Sequence, residues 1–257
     1  MKIAITPCPN DRIAFHFLDQ KEQISLYEIE TLNTIARTSQ RFDITKLSTA
    51  CLAHVLDEYI ALPVGAAFAE KGGPKLIAKG EEFLCNPIAI PGKNSSAYLA
   101  FCLLYGVPKA PVEMEYKKIL PAIESGECYS GIVIHEDRFF CDGYENVIDL
   151  GRLYKSRFGH MLPLGVIAAK RSLPGLKQFS LELQSSIQRV REDISKYAAV
   201  YAEGGFVEIV EKHIHYFVTD ETEMMSLEAQ EAIRFFFEKG ARSGILSSVQ
   251  RDIVLSL

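Results

Sequence analysis

The stretch "NPIAIPGKNSSAYLAFCLLYG" (86–106) contains a complete strand–turn–helix unit near the middle of the chain. A short apolar run ends at the Pro91-Gly92 turn, and a longer apolar segment follows the serine pair and ends at Gly106. These lengths and flanking residues predict a buried strand followed by a helix. Similar units occur on both sides of this stretch. We therefore predict an α/β protein with mainly parallel sheets.

The strand–helix pattern restarts near residue 87, which indicates a second lobe inserted into the first. The segment "LPLGVIAAKRSL" (162–173) is predicted to be a strand that returns to the first lobe. We predict lobe I over 1–87 and 161–257, and lobe II over 88–160. Apolar residues repeat at intervals of three and four between 179 and 198, which predicts a helical C-terminal third.

Composition and charge exclude several classes of protein. With 257 residues and 48% hydrophobic content, the chain can bury a large core. A net charge of -5 argues against a nucleic-acid-binding protein, which usually has a basic face. No apolar window is long enough for a membrane helix, and "MKIAITPCPND" (1–11) does not resemble a signal peptide. We therefore expect a cytoplasmic protein that binds neither membrane nor nucleic acid.

Six cysteines are scattered along the chain without a C-x-x-C pair, so we expect no structural zinc site. In a cytoplasmic protein they should be reduced thiols. Cys8 is the one cysteine in a predicted loop. We interpret it as a small buried residue in preference to a nucleophile.

Polar residues follow several predicted strands, where ligands bind in open α/β sheets. The junctions are "TPCPNDR" (6–12), "TKLSTA" (45–50), "PGKNSSA" (91–97) and "IHEDR" (134–138). Helix starts at such junctions present free N–H groups that favour an anion or a carbonyl. A structural interpretation is also open, in which the short polar residues are helix caps and the lysines are surface charges. The residues concerned are Asn10, Asp11, Lys46, Ser48, Lys93, Ser95 and Ser96.

Histidines raise two separate questions. His135 follows a buried apolar run directly, and its position is compatible with a chemical role or with a surface loop. "KHIHYF" (212–217) contains the pair His213 and His215, which would share one face of a strand. Because no third ligand occurs in register with them, we do not predict a metal site there.

Taken together, the motifs resemble the 1,4-dihydroxy-6-naphthoate synthase family, which acts in the futalosine route to menaquinone. The resemblance covers nearly the whole chain, and its motifs occur in the family's order. They are "TPCPND" (6–11), "TLN" (31–33), "TKLS" (45–48), "GAAFAEKGGPKLIA" (65–78), "IPGKNSSAY" (90–98), "GIVIHEDRF" (131–139), "LPLGVIAAKR" (162–171) and "HIHYFV" (213–218).

The resemblance implies a two-lobed fold similar to type II periplasmic binding proteins, with a ligand cleft between the lobes. It implies a lyase that converts cyclic dehypoxanthine futalosine to 1,4-dihydroxy-6-naphthoate without a metal or an organic cofactor. His135 matches the family's proposed general base. The predicted substrate contacts are Asn33, Lys46, Leu47, Ser48, Ser95, Ser96 and Ala97.

Two alternatives remain open at this point. The first is chorismate dehydratase of the same pathway, which also removes a proton. The second is a solute-binding module that captures an anionic ligand without turnover and tolerates loss of His135. The oligomeric state is not predicted.

Overall fold

The computed structural model describes residues 1–19, 23–78, 80, 87–141, 143–144, 146–202 and 206–257. These residues divide into two units, unit 1 with Met1–Phe68 and Pro163–Leu257, and unit 2 with Ala69–Leu162. The predicted boundaries at 87/88 and 160/161 differ from these. The first boundary lies earlier because Lys75–Ala78 pairs within the sheet of unit 2. Cys85 lies outside the described residues.

The strands and helices alternate along most of the chain. The strands are β1 (Ile3–Ile5), β2 (Ser25–Leu26), β3 (Ile44–Ser48), β4 (Tyr59–Ala61), β5 (Ala67–Ala69), β6 (Lys75–Ala78), β7 (Ile88–Ile90), β8 (Pro111–Glu113), β9 (Ser130–Val133), β10 (Asn146–Asp149) and β11 (Leu162–Lys170). The helices are α1 (Pro9–Ala14), α2 (Ile29–Thr38), α3 (Thr49–Leu52), α4 (Ser96–Tyr105), α5 (Tyr116–Ser125), α6 (Leu150–Phe158), α7 (Leu176–Arg191), α8 (Ile194–Tyr201), α9 (Val207–Phe217), α10 (Asp220–Glu223) and α11 (Leu227–Arg242). A 3₁₀ helix spans His135–Phe140.

The sheet of unit 1 has the strand order β2-β1-β3-β11-β4, and β5 also pairs with β11. β1 runs parallel to β2 and β3, whereas β11 runs antiparallel to β3 and β4. Helices α1, α7, α8 and α9 pack together, and their apolar residues share one core with those of the sheet. Because β1 and β3 are parallel neighbours, their carboxyl ends lie at the same edge of the sheet.

The sheet of unit 2 has the strand order β10-β6-β9-β7-β8. β7 is parallel to β8 and β9, and β6 is antiparallel to β9 and β10. Helix α5 packs so closely on β9 that a Cβ at Gly131 would lie 2.7 Å from Ile119 Cγ2. Because β7 runs parallel to both β8 and β9, the carboxyl ends of these three strands share one edge of the sheet.

Helix bounds differ from the predictions in two places. The sequence "RIAFHFLD" predicts a helix over 12–19, but α1 begins at Pro9, which fits the first helical position, and ends at Ala14. The apolar repeat over 179–198 is divided between α7 and α8, where the Asp193 side chain accepts a hydrogen bond from Lys196 N and caps α8. Among the described residues, no helix is both long and apolar enough to cross a membrane.

The pair of histidines in "KHIHYF" lies in helix α9, so the strand geometry considered for it is wrong. His213 is buried, whereas the side chain of His215 is 60% exposed. Residues two apart point in different directions on a helix. The two imidazoles therefore do not face a common ligand.

A glycine-rich turn in unit 2 is held by Asp149, the residue that caps α6. The Asp149 carboxylate accepts hydrogen bonds from Gly72 N (2.7 Å) and Gly73 N (3.2 Å) and pairs with Lys75 Nζ (3.0 Å). A Cβ at Gly73 would lie 2.9 Å from Gly151 N, so this backbone contact requires glycine. The turn and the start of α6 therefore form one fixed arrangement.

We expect Asp149 to make unit 2 less stable in acid. Burial alone would raise the pKa of Asp149, but the hydrogen bonds from Arg152, Lys75 and Gly72 hold it below its ordinary value. A lowered pKa stabilises the fold above the unfolded value of about 3.9, and this stabilisation is lost as pH falls through the folded pKa. Urea unfolding followed by circular dichroism between about pH 5 and pH 2 should show this loss.

Asp149→Asn should flatten that part of the pH profile. Asp57→Asn is the matched control, because the Asp57 side chain is 83% exposed. The assignment would be wrong if both variants kept the wild-type slope below pH 4, the region in which aspartates titrate.

Candidate functional site

In unit 1, the ends of β1 and β3 bring together a buried ion pair. Lys46 Nζ lies 2.6 Å from Asp11 Oδ1 and donates a hydrogen bond to Gly65 O (3.1 Å). The second Asp11 oxygen accepts a hydrogen bond from the Thr6 hydroxyl at 2.5 Å. The positive charge of Lys46 is therefore balanced inside the protein. Any ligand of unit 1 meets a lysine that is already paired with a carboxylate.

The structure confirms some of the structural interpretations of the junction residues and contradicts others. Lys46 is only 5% exposed, so its interpretation as a surface charge is wrong. The same interpretation is confirmed for Lys93, whose side chain is 57% exposed and pairs with Glu113. Asp11 lies within α1 and is ion-paired, and the residue at the N-cap position is Cys8. Asp11 is therefore not a cap.

Asn33 and Ser48 form a reciprocal pair of hydrogen bonds. Asn33 Nδ2 donates to Ser48 Oγ at 3.0 Å, and Ser48 N donates to Asn33 Oδ1 at 3.0 Å. Ser48 precedes α3 but makes no side-chain cap. Because its oxygen accepts from Asn33, its hydroxyl hydrogen must point elsewhere. Ser48 is thus set to act as a hydrogen-bond donor.

Leu47 lies between Lys46 and Ser48 in β3, and its side chain is completely buried. Successive side chains of a strand point to opposite faces, so Lys46 and Ser48 share one face and Leu47 points to the other. Only the backbone of Leu47 is suited to a ligand contact. The substrate contact predicted at Leu47 would then be made by its peptide group.

In unit 2, Ser95, Ser96 and Ala97 follow β7 and begin α4. Ser95 Oγ accepts a hydrogen bond from Tyr98 N at 3.1 Å and donates to Gly92 O at 2.8 Å, so its interpretation as a helix cap is confirmed. Ser96 and Ala97 occupy the first turn of α4, where N–H groups have no acceptor within the helix. Both residues are buried at the start of this helix.

His135 follows β9 and begins the 3₁₀ helix, with a backbone φ of 55°. This left-handed conformation is uncommon for a residue other than glycine, although histidine, asparagine and aspartate adopt it more often than most. Backbone strain of this kind concentrates at functional sites. The half-buried imidazole packs on the Tyr116 ring, with 4.5 Å between ring centroids and 52° between planes.

Tyr116 is a further candidate site residue, which the sequence did not reveal. It begins α5 just after β8, and β8, β7 and β9 are neighbouring strands whose carboxyl ends share an edge. Tyr116, Ser96 and His135 therefore arise from the same edge of the sheet. The sequence predicts "VEMEY" (112–116) as a strand that ends on this aromatic residue, whereas the structure ends β8 at Glu113 and places Tyr116 in α5.

The acidic residues after His135 lie in the 3₁₀ helix, which also contains the buried Arg138. Burial and the Glu136 carboxylate raise the pKa of Asp137, while Lys117 acts in the opposite direction. The chain segment that holds His135 is therefore partly buried and strongly polar. Such surroundings are typical of functional sites.

The predicted site residues thus fall into two sets. The set in unit 1 contains Asn33, Lys46, Leu47 and Ser48, joined by the contacts of β3. The set in unit 2 contains Ser95, Ser96, Ala97 and His135, placed by β7 and β9.

We expect Asn33→Asp to weaken the donor role of Ser48. The introduced carboxylate accepts from Ser48 Oγ and withdraws its hydrogen from any ligand. If Ser48 stabilises negative charge in a reaction, the turnover number should fall about 10²-fold, as for loss of one such donor. Asn146→Asp, the same change at the start of β10 in unit 2, is the matched control. Equal turnover numbers for the two variants would contradict this role.

Comparison with known proteins gives consistent matches along the chain. The family model described as menaquinone biosynthesis matches residues 1–242. A protein of Thermus thermophilus named 1,4-dihydroxy-6-naphtoate synthase is 31% identical over 272 residues, covering 98% of each chain. A protein of Streptomyces coelicolor with the same name is 28% identical and covers 98% of this chain and 96% of its own.

Solved structures show a similar fold. A protein of Archaeoglobus fulgidus has a TM-score of 0.85 at 27% identity, covering 95% of this chain and 98% of its own. The alkanesulfonate-binding protein SsuA of Xanthomonas axonopodis pv. citri has a TM-score of 0.69 at 13% identity, covering 99% and 97%. The predicted α/β fold of the periplasmic-binding-protein type is confirmed.

Proposed function

This chain belongs to the menaquinone biosynthesis family, and on that premise we propose that it is a 1,4-dihydroxy-6-naphthoate synthase. The substrate would be cyclic dehypoxanthine futalosine, and the reaction the cleavage of a carbon–carbon bond. The observation that carries the proposal is the position of His135, held in a left-handed conformation at the end of β9. We also propose that the protein is cytoplasmic.

His135 is the proposed general base. The spiro-fused substrate must lose a proton before its carbon–carbon bond breaks in a retro-aldol-like step. A neutral imidazole can accept a proton at physiological pH, and positioned bases of this kind contribute about 10²- to 10⁴-fold to rate. The Tyr116 ring limits the rotation of the imidazole, which supports a fixed direction of proton transfer.

The other proposed contacts act on oxygen atoms of the substrate. In unit 2, the first-turn amides of α4 at Ser96 and Ala97 suit a carboxylate or a developing oxyanion. In unit 1, the hydroxyl of Ser48 is oriented as a donor by Asn33. Lys46 is balanced by Asp11, so we assign it the role of holding the edge of β3 in place. After the carbon–carbon bond has broken, aromatisation of the second ring of the product drives the reaction forward.

A product assay tests the proposal directly. The purified protein, treated with chelator, is incubated with cyclic dehypoxanthine futalosine and separately with chorismate. Products are identified by liquid chromatography and mass spectrometry. We expect dihydroxynaphthoate from the first mixture and no turnover of chorismate.

Each other outcome selects a different function. Dehydration of chorismate would make the protein a chorismate dehydratase of the same pathway. Tight binding of the first compound without product would make it a solute-binding module. Either result would overturn the synthase assignment.

A further inference from the structure

A thiol, an imidazole and a carboxamide meet at the start of α1 in unit 1. Cys8 Sγ lies 3.2 Å from His213 Nε2, and Asn10 Oδ1 lies 3.2 Å from the same nitrogen. Cys8 is at the N-cap position of α1, and His213 projects from α9. Both are buried, with 8% and 3% of their surface exposed. The proposed reaction uses none of the three groups.

The contacts of Asn10 fix the direction of its amide. Asn10 Nδ2 donates to Asp11 Oδ1 at 3.5 Å, and this carboxylate is ion-paired with Lys46. The amide oxygen therefore faces His213. An amide oxygen can only accept hydrogen bonds, so His213 Nε2 must carry a hydrogen.

This arrangement makes the Cys8 sulphur an acceptor. The Nε2–H group of His213 lies within hydrogen-bond distance of both the amide oxygen and the sulphur. A thiolate accepts such a hydrogen bond much better than a thiol, because the bond to the charged sulphur is charge-assisted. This hydrogen bond favours the ionised form of the sulphur and acts against burial, which favours the thiol.

We propose that Cys8 is a modification site, a thiolate held by His213 that reacts with soft electrophiles such as alkyl halides. The thiol proton passes to solvent when the thiolate forms. The sulphur then bonds to the electrophilic carbon, and the carbon–halogen bond breaks with release of halide. The charge balance of the reaction is complete without an oxidant or a metal.

Other buried cysteines in the chain provide internal comparators. Burial raises the pKa of Cys51 to about 12 and that of Cys102 to about 11, and it also raises the pKa of Cys128. The Cys51 thiol donates to Asn33 O at 3.6 Å, so its sulphur serves as the donor. These thiols are buried like Cys8. Cys8 is 8% exposed, whereas Cys51 and Cys102 are 0% and 4% exposed, so a variant of His213 is needed to separate chemistry from access.

The test uses iodoacetamide on the native full-length protein, with the labelled peptides quantified by mass spectrometry over time. We expect Cys8 to be alkylated at least about tenfold faster than Cys51 and Cys102. His213→Phe, which removes the donor, should slow the alkylation of Cys8 by about tenfold. His213→Gln keeps an N–H donor and should give a rate between the two.

Two results would overturn the proposal. One is a wild-type protein in which Cys8 reacts no faster than Cys51 and Cys102. The other is a His213→Phe protein in which Cys8 keeps its wild-type rate. Slow labelling of Cys51 and Cys102 in a variant shows that the variant remains folded. Even if one variant unfolds, a wild-type protein in which Cys8 reacts no faster than these two cysteines overturns the proposal. The readout does not depend on synthase activity.

Discussion

His135→Asn should lower the turnover number by about 10²- to 10⁴-fold while leaving the protein folded. The substitution removes the imidazole that we propose as the general base. Asparagine is chosen because it tolerates the left-handed conformation found at this position, where φ is 55°. The free energy of unfolding should therefore change by less than about 1 kcal/mol. Initial rates of dihydroxynaphthoate formation and urea unfolding measure the two effects separately.

His215→Asn is the matched control, because this histidine is exposed on α9 and its substitution should leave turnover unchanged. A second variant, Tyr116→Ala, tests the support of the imidazole and should lower turnover less than loss of His135. A His135→Asn protein with the wild-type turnover number would exclude His135 as the base. It would also leave the strained backbone at this position without a catalytic explanation.

Lys46→Met should destabilise the protein by about 3–5 kcal/mol, because it leaves the Asp11 carboxylate buried without its cation. The Lys46 and Asp11 side chains are only 6% and 4% exposed, so water cannot replace the lost partner. Gly65 O also loses its donor. The measurement is the free energy of unfolding in urea, followed by circular dichroism.

The double variant Asp11→Asn with Lys46→Met should recover much of that loss, since it removes the unpaired charge. Lys93→Met is the matched control in unit 2, where the ion pair with Glu113 is exposed, and it should cost less than about 1 kcal/mol. If Lys46→Met and Lys93→Met had equal effects, the buried pair would contribute no more than a surface pair.

Much of the fold could be predicted because its signals are local. The apolar run that became β7 and the Pro91-Gly92 turn and serine pair that follow it lie next to one another in the sequence. The boundary between the units could not be predicted in this way. The sequence of β6 (Lys75–Ala78) would suit a strand of either unit, and its membership depends on pairing with β9 and β10, which lie far along the chain.

The residues of the candidate site also differ in whether their signal is local or depends on distant parts of the chain. His135 could be chosen as a candidate because a charged segment follows a predicted strand directly, and its proposed role as base came from the family resemblance. The contact between Cys8 and His213 joins residues 205 positions apart, and no local pattern reveals it. Gly165 is similar, since a Cβ there would lie 3.0 Å from Lys46 Cε. This tight contact comes from a lysine on a neighbouring strand, so the sequence of β11 alone does not show it.

The position of β11 between β3 and β4 has a consequence for biosynthesis on the ribosome. β4 ends at Ala61 and β11 begins at Leu162, so β3 and β4 are made long before the strand that joins them. At roughly 5–20 residues per second, about 100 residues of translation leave one edge of β3 and the facing edge of β4 unpaired for about 5–20 s. Unit 2 is continuous in the chain and can fold during this interval. We expect the nascent chain to expose a β-sheet edge until β11 emerges, and to depend on chaperones during that time.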